Sequence, residues 1–144
     1  MMRRDPFQAF NFQVEIEGIV TAGFSECSGL QAEIEVFPYS EGGVNGFEHQ
    51  FLGRTKYPRL VLKRGLTPID GLWGWYWEVA QGAVQRKNGT IYLLDGRQRP
   101  ILGWHFLEAL PVKWAGPELR ADSATVAFES VDLVHRGLNR ETVR

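Results

Sequence analysis

Between Lys56 and Gln81 the chain reads KYPRLVLKRGLTPIDGLWGWYWEVAQ, and the two halves of this segment differ in their periodicity. The first half alternates, with Leu60 and Leu62 on one side of the chain and residues such as Lys63 on the other. Alternation with a period of two is typical of a strand that packs one face on a core. The first half of the segment therefore predicts a strand with one apolar face and one mixed face.

A helix is predicted directly after this strand, which Gly65 ends. Thr67 suits the N-cap, Pro68 suits the first helical position, and Asp70 lies near the positive end of the helix dipole. Gly82 is the predicted C-terminal stop. We expect this single substantial helix to lie against a β core.

The tryptophans of the helix are assigned to two faces by their spacing. Apolar residues recur at helical intervals and define the predicted core stripe, which consists of Ile69, Leu72, Trp73, Tyr76 and Ala80. Trp75 falls on the opposite side together with Glu78. Trp73 is therefore predicted to be a core residue, and Trp75 is predicted to lie at a subunit interface.

The remainder of the chain is dominated by short apolar or alternating runs. Strands are predicted at 10–17, 20–26, 31–39, 47–52, 90–94, 101–107 and 125–135. Residues Pro111 to Gly116 are predicted to form a bend, and Asn139 to Arg144 a polar tail without a packing role. About seven or eight strands and one helix predict a mainly β fold, a small antiparallel β-barrel or sandwich with one flanking α-helix.

The composition restricts the class of protein. With 144 residues and a formal net charge of -1, the chain is expected to form one domain over residues 1–144, with its ordered core from Asp5 to about Leu138. One cysteine excludes an internal disulfide framework. No apolar run approaches the roughly 20 residues that a membrane helix needs, and the N-terminus lacks the apolar segment of a secretory signal. We expect a soluble protein that is made in the cytoplasm and does not insert into membranes.

Residues capable of chemistry are scattered along the sequence. His49, His105 and His135 lie in different predicted strands, and no phosphate loop, nucleophile elbow or His-Glu-x-x-His motif is present. Cys27 has no reactive motif around it, and free cysteines are usually small buried hydrophobes. We therefore predict a protein that is not an enzyme, with no catalytic residue, no metal site and no cofactor.

Two groups of charged residues could each form a functional site or simply a solvated or ion-paired surface. The acidic group is Glu15, Glu17, Glu33 and Glu35, and the basic group is Arg54, Lys56, Arg59, Lys63 and Arg64. The acidic group could be interpreted as a metal cluster, but strand alternation alone places such carboxylates on one solvated or lumen-facing surface, which explains the group better. The near-neutral total charge favours an ion-paired interface over recognition of nucleic acid. Arg59 and Lys63 are therefore the two further subunit-interface candidates beside Trp75.

An ordered set of short motifs extends over nearly the whole chain. In sequence order these are Asp5-Pro6-Phe7, Ala22-Gly23-Phe24-Ser25-Glu26-Cys27-Ser28-Gly29-Leu30, Tyr39-Ser40-Glu41-Gly42-Gly43, Lys56-Tyr57-Pro58, Leu62-Lys63-Arg64-Gly65, Trp73-x-Trp75, Arg86-Lys87-Asn88-Gly89 and Lys113-Trp114-x-Gly116-Pro117. The set resembles the inner tail-tube proteins of contractile phage tails, and most closely those of extracellular contractile injection systems. Cys27 departs from the family pattern, in which a residue such as valine is expected.

The resemblance implies a fold, an assembly and a set of partners. Family members are small β-barrels or sandwiches with one helix. Six copies form a ring, and rings stack into a tube that a contracting sheath drives through a target envelope, with cargo in the lumen. The partners implied are further copies of the chain, a sheath protein, baseplate and tube-initiator proteins, and cargo. The resemblance also implies a loop that touches the neighbouring ring, formed by Ser40, Glu41, Gly42, Gly43, Val44, Asn45, Gly46 and Phe47.

Two other functions stay open at this stage. Within the family, the chain could be a tube-initiator or adaptor paralogue at the baseplate. Outside it, the chain could be a monomeric ligand-binding β-barrel with Trp75 and Trp104 near a pocket. The sequence does not separate a phage tail from an injection system.

Overall fold

The computed structural model of the chain describes residues 6–8, 11–19, 23–39, 46, 49–68 and 71–143. Within these ranges the chain forms nine strands and one helix. In chain order they are β1 (Phe12–Ile16), β2 (Phe24–Ser28), β3 (Glu33–Tyr39), β4 (His49–Lys56), β5 (Leu60–Gly65), α1 (Gly71–Ala80), β6 (Lys87–Leu94), β7 (Pro100–Ala115), β8 (Phe128–Val134) and β9 (Gly137–Thr142).

Seven strands form one antiparallel sheet in the order β1-β6-β7-β8-β5-β2, and β9 also pairs with β7. The first half of β7 lies between β6 and β9, whereas its second half pairs with β8. β1 and β5 lie towards opposite ends of this order, yet Val14 and Leu62 belong to the same buried cluster. The sheet therefore curves back on itself around one core.

The core combines inward residues of five strands, β1, β5, β6, β7 and β8, with one face of the helix. Its fully buried members are Val14, Ile16, Leu60, Leu62, Leu72, Trp75, Ile91, Phe106, Ala109, Val131 and Leu133. The predicted mainly β fold with one flanking helix is confirmed. Within the described ranges the strand order ends at β1 and β2, so the sheet is not a closed barrel.

The C-terminal stop of α1 is confirmed at Gly82. This glycine has φ of 97°, its N–H donates to Val79 O, and Ala83 N–H donates to Glu78 O. These two bonds form a Schellman motif, which glycine favours because the left-handed conformation costs it nothing. Of the predicted N-terminal signals, Asp70 lies outside the described residues.

The assignment of the helix faces is wrong, because it is Trp75 and not Trp73 that enters the core. Trp75 is 3% exposed and Trp73 is 38% exposed. The indole Nε1 of Trp75 donates to Gln85 O over 2.9 Å, and Lys87 Nζ lies over the ring, 6.0 Å from its centroid. Leu72, Trp75 and Val79, spaced three and four residues apart, form the face of α1 that packs on the core, and the buried indole N–H has a hydrogen-bond partner.

Two predictions for the C-terminal third are also wrong. Pro111 to Gly116 is not a bend, because β7 continues to Ala115. The missing N–H of Pro111 is tolerated beside the register shift between Pro111 and Lys113, where the ladder is already interrupted. The predicted polar tail is largely strand β9, in which Leu138 and Asn139 pair with Phe106 and His105.

Candidate interaction surface

β3 and β4 form a two-stranded sheet of their own. Because successive side chains point to opposite faces, this hairpin has two distinct surfaces. The aliphatic face carries Ile34, Val36 and Leu52, and Val36 is the ladder partner of Leu52. The aromatic face carries Phe37, Tyr39 and Phe51, and the rings of Tyr39 and Phe51 meet edge to face with centroids 5.3 Å apart.

Both faces of the β3–β4 hairpin are exposed. All six of these apolar side chains are open to solvent, and Leu52 is the most exposed of them, at 72%. An isolated two-stranded sheet is marginally stable in water, and exposed apolar surface of this kind marks contact sites. The hairpin is therefore a surface that a further protein layer can cover on two sides.

A close approach and an ion pair fix the shape of the hairpin. A Cβ added to Gly53 would lie 2.6 Å from the Phe37 ring, so this ring covers the glycine. Lys56 Nζ lies 2.9 Å from Glu35 Oε1. The hydrogen bond to Glu35 raises the pKa of Lys56 above its usual value. This pair is exposed, so its contribution to stability is small.

The predicted ring-contact loop lies almost entirely outside the described residues. Only Gly46 of this segment is described, and its φ is 111°, a value that favours glycine. Tyr39 and His49, which flank the segment, are ladder partners. The loop is therefore the connection at the end of the β3–β4 hairpin, and its role stays a prediction.

The basic interface candidates lie at β5, Lys63 within the strand and Arg59 directly before it, on the face away from the core. Arg59 Nη1 lies 3.5 Å from Asp132 Oδ2, and Lys63 Nζ lies 4.9 Å from the centroid of the Phe128 ring. Both interactions are with β8, the neighbouring strand. These contacts orient the two side chains on the outer surface, and their role between subunits stays a prediction.

The exposed indoles of the helix, Trp73 and Trp77, form a second apolar surface, although the sequence assigned Trp73 to the core. Trp73 stacks on Trp77 with centroids 5.6 Å apart. Its ring also meets Trp114 of β7 edge to face at 4.9 Å. The burial of Trp75 removes the reason for placing that residue at an interface, and Trp73 and Trp77 present the exposed aromatic area instead.

The three histidines lie in separate environments. His105 Nδ1 is 2.7 Å from Thr90 Oγ1, and its Nε2 is 3.3 Å from Glu141 Oε1. His135 is buried, and its Nδ1–H donates to Gly137 O over 3.0 Å. His49 approaches the Tyr39 ring. Across the described ranges, no three His, Cys, Asp or Glu side chains are grouped so that they could hold a metal ion.

Cys27 lines a small apolar cleft beside Trp104. Burial raises the pKa of its thiol to about 11, so the reactive thiolate is scarce at neutral pH. The cleft measures about 280 Å³ and contains Trp104 but not Trp75. The pair of tryptophans predicted near a ligand pocket is therefore not brought together at this cleft.

The fold and this surface define a class of protein, namely a mainly β subunit that displays an apolar hairpin. The chain belongs to the T4-like virus tail tube protein gp19 family, because the sequence model of that family matches residues 8–139. Proteins of this family are structural, so the chain is a tail tube protein and not an enzyme. No curated protein sequence matches it.

Solved structures of high similarity come from contractile injection systems. A chain of the six-fold symmetrised baseplate of the anti-feeding prophage (AFP) is 26% identical with a TM-score of 0.86, over 99% of each chain. A chain of the PVC sheath–tube complex in its extended state is 21% identical with a TM-score of 0.85, over 96% of this chain and 93% of that one. Hcp1 from Flavobacterium johnsoniae is 15% identical with a TM-score of 0.62, over 92% of this chain and 96% of that one. The last two likenesses show the fold alone.

In the part of the chain that the structure describes, no helix has the length and apolar character to cross a membrane.

Proposed function

We propose that the chain is the structural subunit of the inner tube of a contractile, phage-tail-like injection system. Six copies form a ring, and stacked rings form a tube inside a sheath. Contraction of the sheath drives the tube through a target envelope. Membership of the tail tube family and the likeness to a sheath–tube complex and a six-fold symmetrised baseplate support this function.

The observation that carries the proposal is the β3–β4 hairpin with two exposed apolar faces. Leu52, Phe37 and Phe51 would each remain in water in a monomer. Burying a side chain of this size stabilises an assembly by about 1.5–3 kcal/mol. A second copy of the chain that covers the hairpin accounts for this exposure, which a monomeric role does not.

Ring closure uses a different part of the subunit. β1 and β2 end the order of the described strands, and an uncovered strand edge pairs readily with another chain. A head-to-tail contact closes into a ring when its rotation divides the circle. Lys63 on the outer face of β5, and Arg59 directly before this strand, are candidates for the contacts between neighbouring subunits.

The proposed partners follow from this assembly. They are further copies of the chain, the sheath protein, baseplate and tube-initiator proteins, and cargo in the lumen. The subunit would be made in the cytoplasm of the producing cell and released as part of the particle. It would need no cofactor, and it would recognise no nucleic-acid sequence.

A paralogue that starts or ends the tube is the second candidate. Its support is the 26% identity to a chain of the AFP baseplate and the 21% identity to a chain of the AFP tube terminating cap. A main tube subunit should form long tubes by itself. A paralogue should form single rings that elongate only when a second tube protein is added.

The test is electron microscopy of the purified chain beside one hairpin variant. Wild type should form rings and tubes. The double variant Ile34→Ser/Leu52→Ser should stay folded while the concentration needed for assembly rises more than about tenfold. Leu119→Ser is the matched control, because Leu119 is 83% exposed and lies outside the hairpin. A wild-type chain that remains monomeric at high concentration would overturn the proposed function.

A further inference from the structure

The longest strand, β7, is interrupted between its two halves. Its partner β6 pairs Lys87 with Ala109 and Gly89 with Phe106. Asn88 therefore lies opposite two residues of β7, Leu107 and Glu108, which is the pattern of a β-bulge. The interruption separates the half of β7 that pairs with β9 from the half that pairs with β8.

Glu108 occupies the extra position with a left-handed backbone conformation. Its φ is 51°, a region that non-glycine residues visit at a cost of roughly 1–2 kcal/mol. Glycine at this position would avoid the cost, yet the chain has glutamate. Contacts from neighbouring residues must therefore hold Glu108 in this conformation.

Three side chains make those contacts, two from the start of β6 and one from the residue before β9. Glu108 N–H donates to Asn88 Oδ1 over 2.8 Å. Arg86 Nη1 donates to Glu108 O over 3.0 Å, and Arg136 Nη1 donates to Glu108 Oε2 over 3.1 Å. The backbone amide, the backbone carbonyl and the side chain of Glu108 are thus each bound by a different residue. We call Arg86, Asn88 and Arg136 the Glu108 clamp.

The clamp is itself anchored beside two strands, through Glu17 directly after β1 and through Arg136 directly before β9. Asn88 N–H donates to Glu17 Oε1 over 2.5 Å, and Glu17 N–H donates to Asn88 O over 3.1 Å. Arg136 N–H donates to Leu107 O over 2.9 Å, one residue before β9 begins. The contacts therefore join an end strand of the sheet, the bulge and the first residue before β9.

We propose that the Glu108 clamp sets the bend of β7 and thereby the angle at which neighbouring copies of this chain join. This inference rests on the proposed ring assembly. The sheet carries β1 and β9 on one half of β7 and leads to β2 on the other, so the bend fixes the relative direction of these edge strands. A bulge increases the local bend and twist of a strand, and glycine or a clamped residue can occupy it equally well.

Two substitutions of the exposed Glu108 distinguish the effect of its backbone conformation on assembly from the effect of its carboxylate. Glu108→Gly and Glu108→Val both remove the carboxylate that binds Arg136. Glycine accepts a φ of 51° freely, whereas a β-branched residue strongly resists it. Glu108→Gly should assemble within about twofold of the wild-type critical concentration, and Glu108→Val should need about tenfold more protein or form rings of mixed symmetry.

The contribution of the clamp is measured with Asn88→Ala, alone and combined with Glu108→Gly. Asn88→Ala should impair assembly as Glu108→Val does, and the combination should recover it, because glycine needs no support in the left-handed region. Asn11→Ala is the matched control, since Asn11 Nδ2 makes a comparable bond to Asp95 O, away from the bulge. Asn88→Asp keeps the accepting Oδ1 and should assemble as wild type does.

The readouts are the ring symmetry in electron micrographs and the critical concentration, measured under conditions where all variants have the same circular dichroism spectrum. If Asn88→Ala does not fold, the Glu108 pair decides the question alone. Equal assembly of Glu108→Gly and Glu108→Val, or failure of the combined variant to recover, would overturn the inference. Wild type that forms no rings would instead overturn the proposed function.

Discussion

At the scale of single residues, a hydrogen-bond partner decides positions that periodicity leaves open. From Trp73 to Trp77 every residue except Gly74 is a large aromatic, so a helical repeat fits more than one face. The structure selects Trp75 because the Gln85 carbonyl accepts from its indole N–H. That carbonyl lies beyond the end of the helix, and no pattern within the helix could have identified it.

The corrected faces predict the effects of two substitutions. Trp75→Ala should lower the free energy of unfolding of the subunit by about 3–5 kcal/mol, because it empties a core site. Trp73→Ala should lower it by only about 1–2 kcal/mol, because this ring is partly exposed and packs mainly on Trp114 and Trp77. Urea unfolding of both variants measures the difference. A larger loss for Trp73→Ala would contradict the assignment of faces.

His135 predicts a loss of stability in mild acid. Burial lowers its pKa below the usual 6.5, and its Nε2 has no hydrogen-bond partner among the described residues. Below about pH 6.5 the unfolded chain therefore binds the proton more readily than the folded chain, and stability decreases as the pH falls towards the folded pKa. Well above pH 6.5 the histidine is neutral in the folded and the unfolded state, so it contributes no pH dependence to the stability there.

The measurement compares wild type with His135→Asn, in which the amide N–H can still donate to Gly137 O. The unfolding free energy of wild type should drop more between pH 7 and pH 5 than that of the variant. Thr90→Ala, next to His105, serves as a control that leaves His135 intact. The same pH dependence in wild type and His135→Asn would show that His135 is not the responsible group.

At the scale of elements, strands with a clear alternation were predicted and those with mixed signals were not. β1 and β5 fall within or close to their predicted ranges because one face is apolar and the other polar. β6 was predicted from its apolar run at 90–94, and the strand begins three residues earlier, at Lys87. β9 was missed because its sequence, Gly-Leu-Asn-Arg-Glu-Thr, has only one apolar residue. Its stability comes from pairing with β7 rather than from a buried face of its own.

Strands β5 and β8 are joined by a buried ion pair that yields an element-scale prediction. Arg64 and Glu129 are ladder partners, their Nε and Oε2 atoms lie 3.7 Å apart, and both are almost fully buried. Trp114 Nε1 also donates to Glu129 Oε1 over 3.2 Å. Removal of Glu129 would take this carboxylate away from the buried guanidinium of Arg64, and breaking a buried ion pair from one side is strongly destabilising.

Glu129→Leu should therefore destabilise the subunit by about 3–5 kcal/mol, whereas Arg64→Met/Glu129→Leu should recover most of that loss. A thermal-unfolding cycle with both single variants and the double variant gives the coupling energy between the two side chains. Additive losses would mean that the pair acts as two independent residues. Arg64 was grouped from the sequence with residues of an ion-paired interface, whereas its side chain is buried within the subunit.

For the molecule as a whole, the sequence predicts the fold class better than it predicts which residues lie on the exposed surface of the subunit. Alternation and helix signals identify a mainly β chain with one helix, because a strand or helix that buries one face has apolar residues at regular intervals in its sequence. The β3–β4 hairpin breaks this rule, since Ile34 and Val36 alternate as if buried but remain exposed in one copy. Such residues are consistent with burial against another molecule, which periodicity cannot distinguish from burial in the chain's own core.

The last prediction concerns the connection between β3 and β4, which spans residues 40–48. Its segment Ser40 to Gly46 contains three glycines, and fixing the backbone of each residue costs about 1–2 kcal/mol. Contacts from a neighbouring ring would have to offset that entropy, with Val44 and Phe47 as apolar anchors. Stacking of rings should therefore depend on this segment, whereas closure of each ring, which uses strand edges, should not.

Replacing Val44-Asn45 by Gly-Gly should accordingly leave single hexameric rings and abolish long tubes in electron micrographs. The control is Val84→Gly, which removes an exposed valine from the segment after α1 and should leave tubes unchanged. Rings that fail to close in the Gly-Gly variant would mean that the segment acts within the ring. Long tubes from that variant would place the stacking contacts elsewhere, and the exposed faces of the β3–β4 hairpin would then be the next surface to vary.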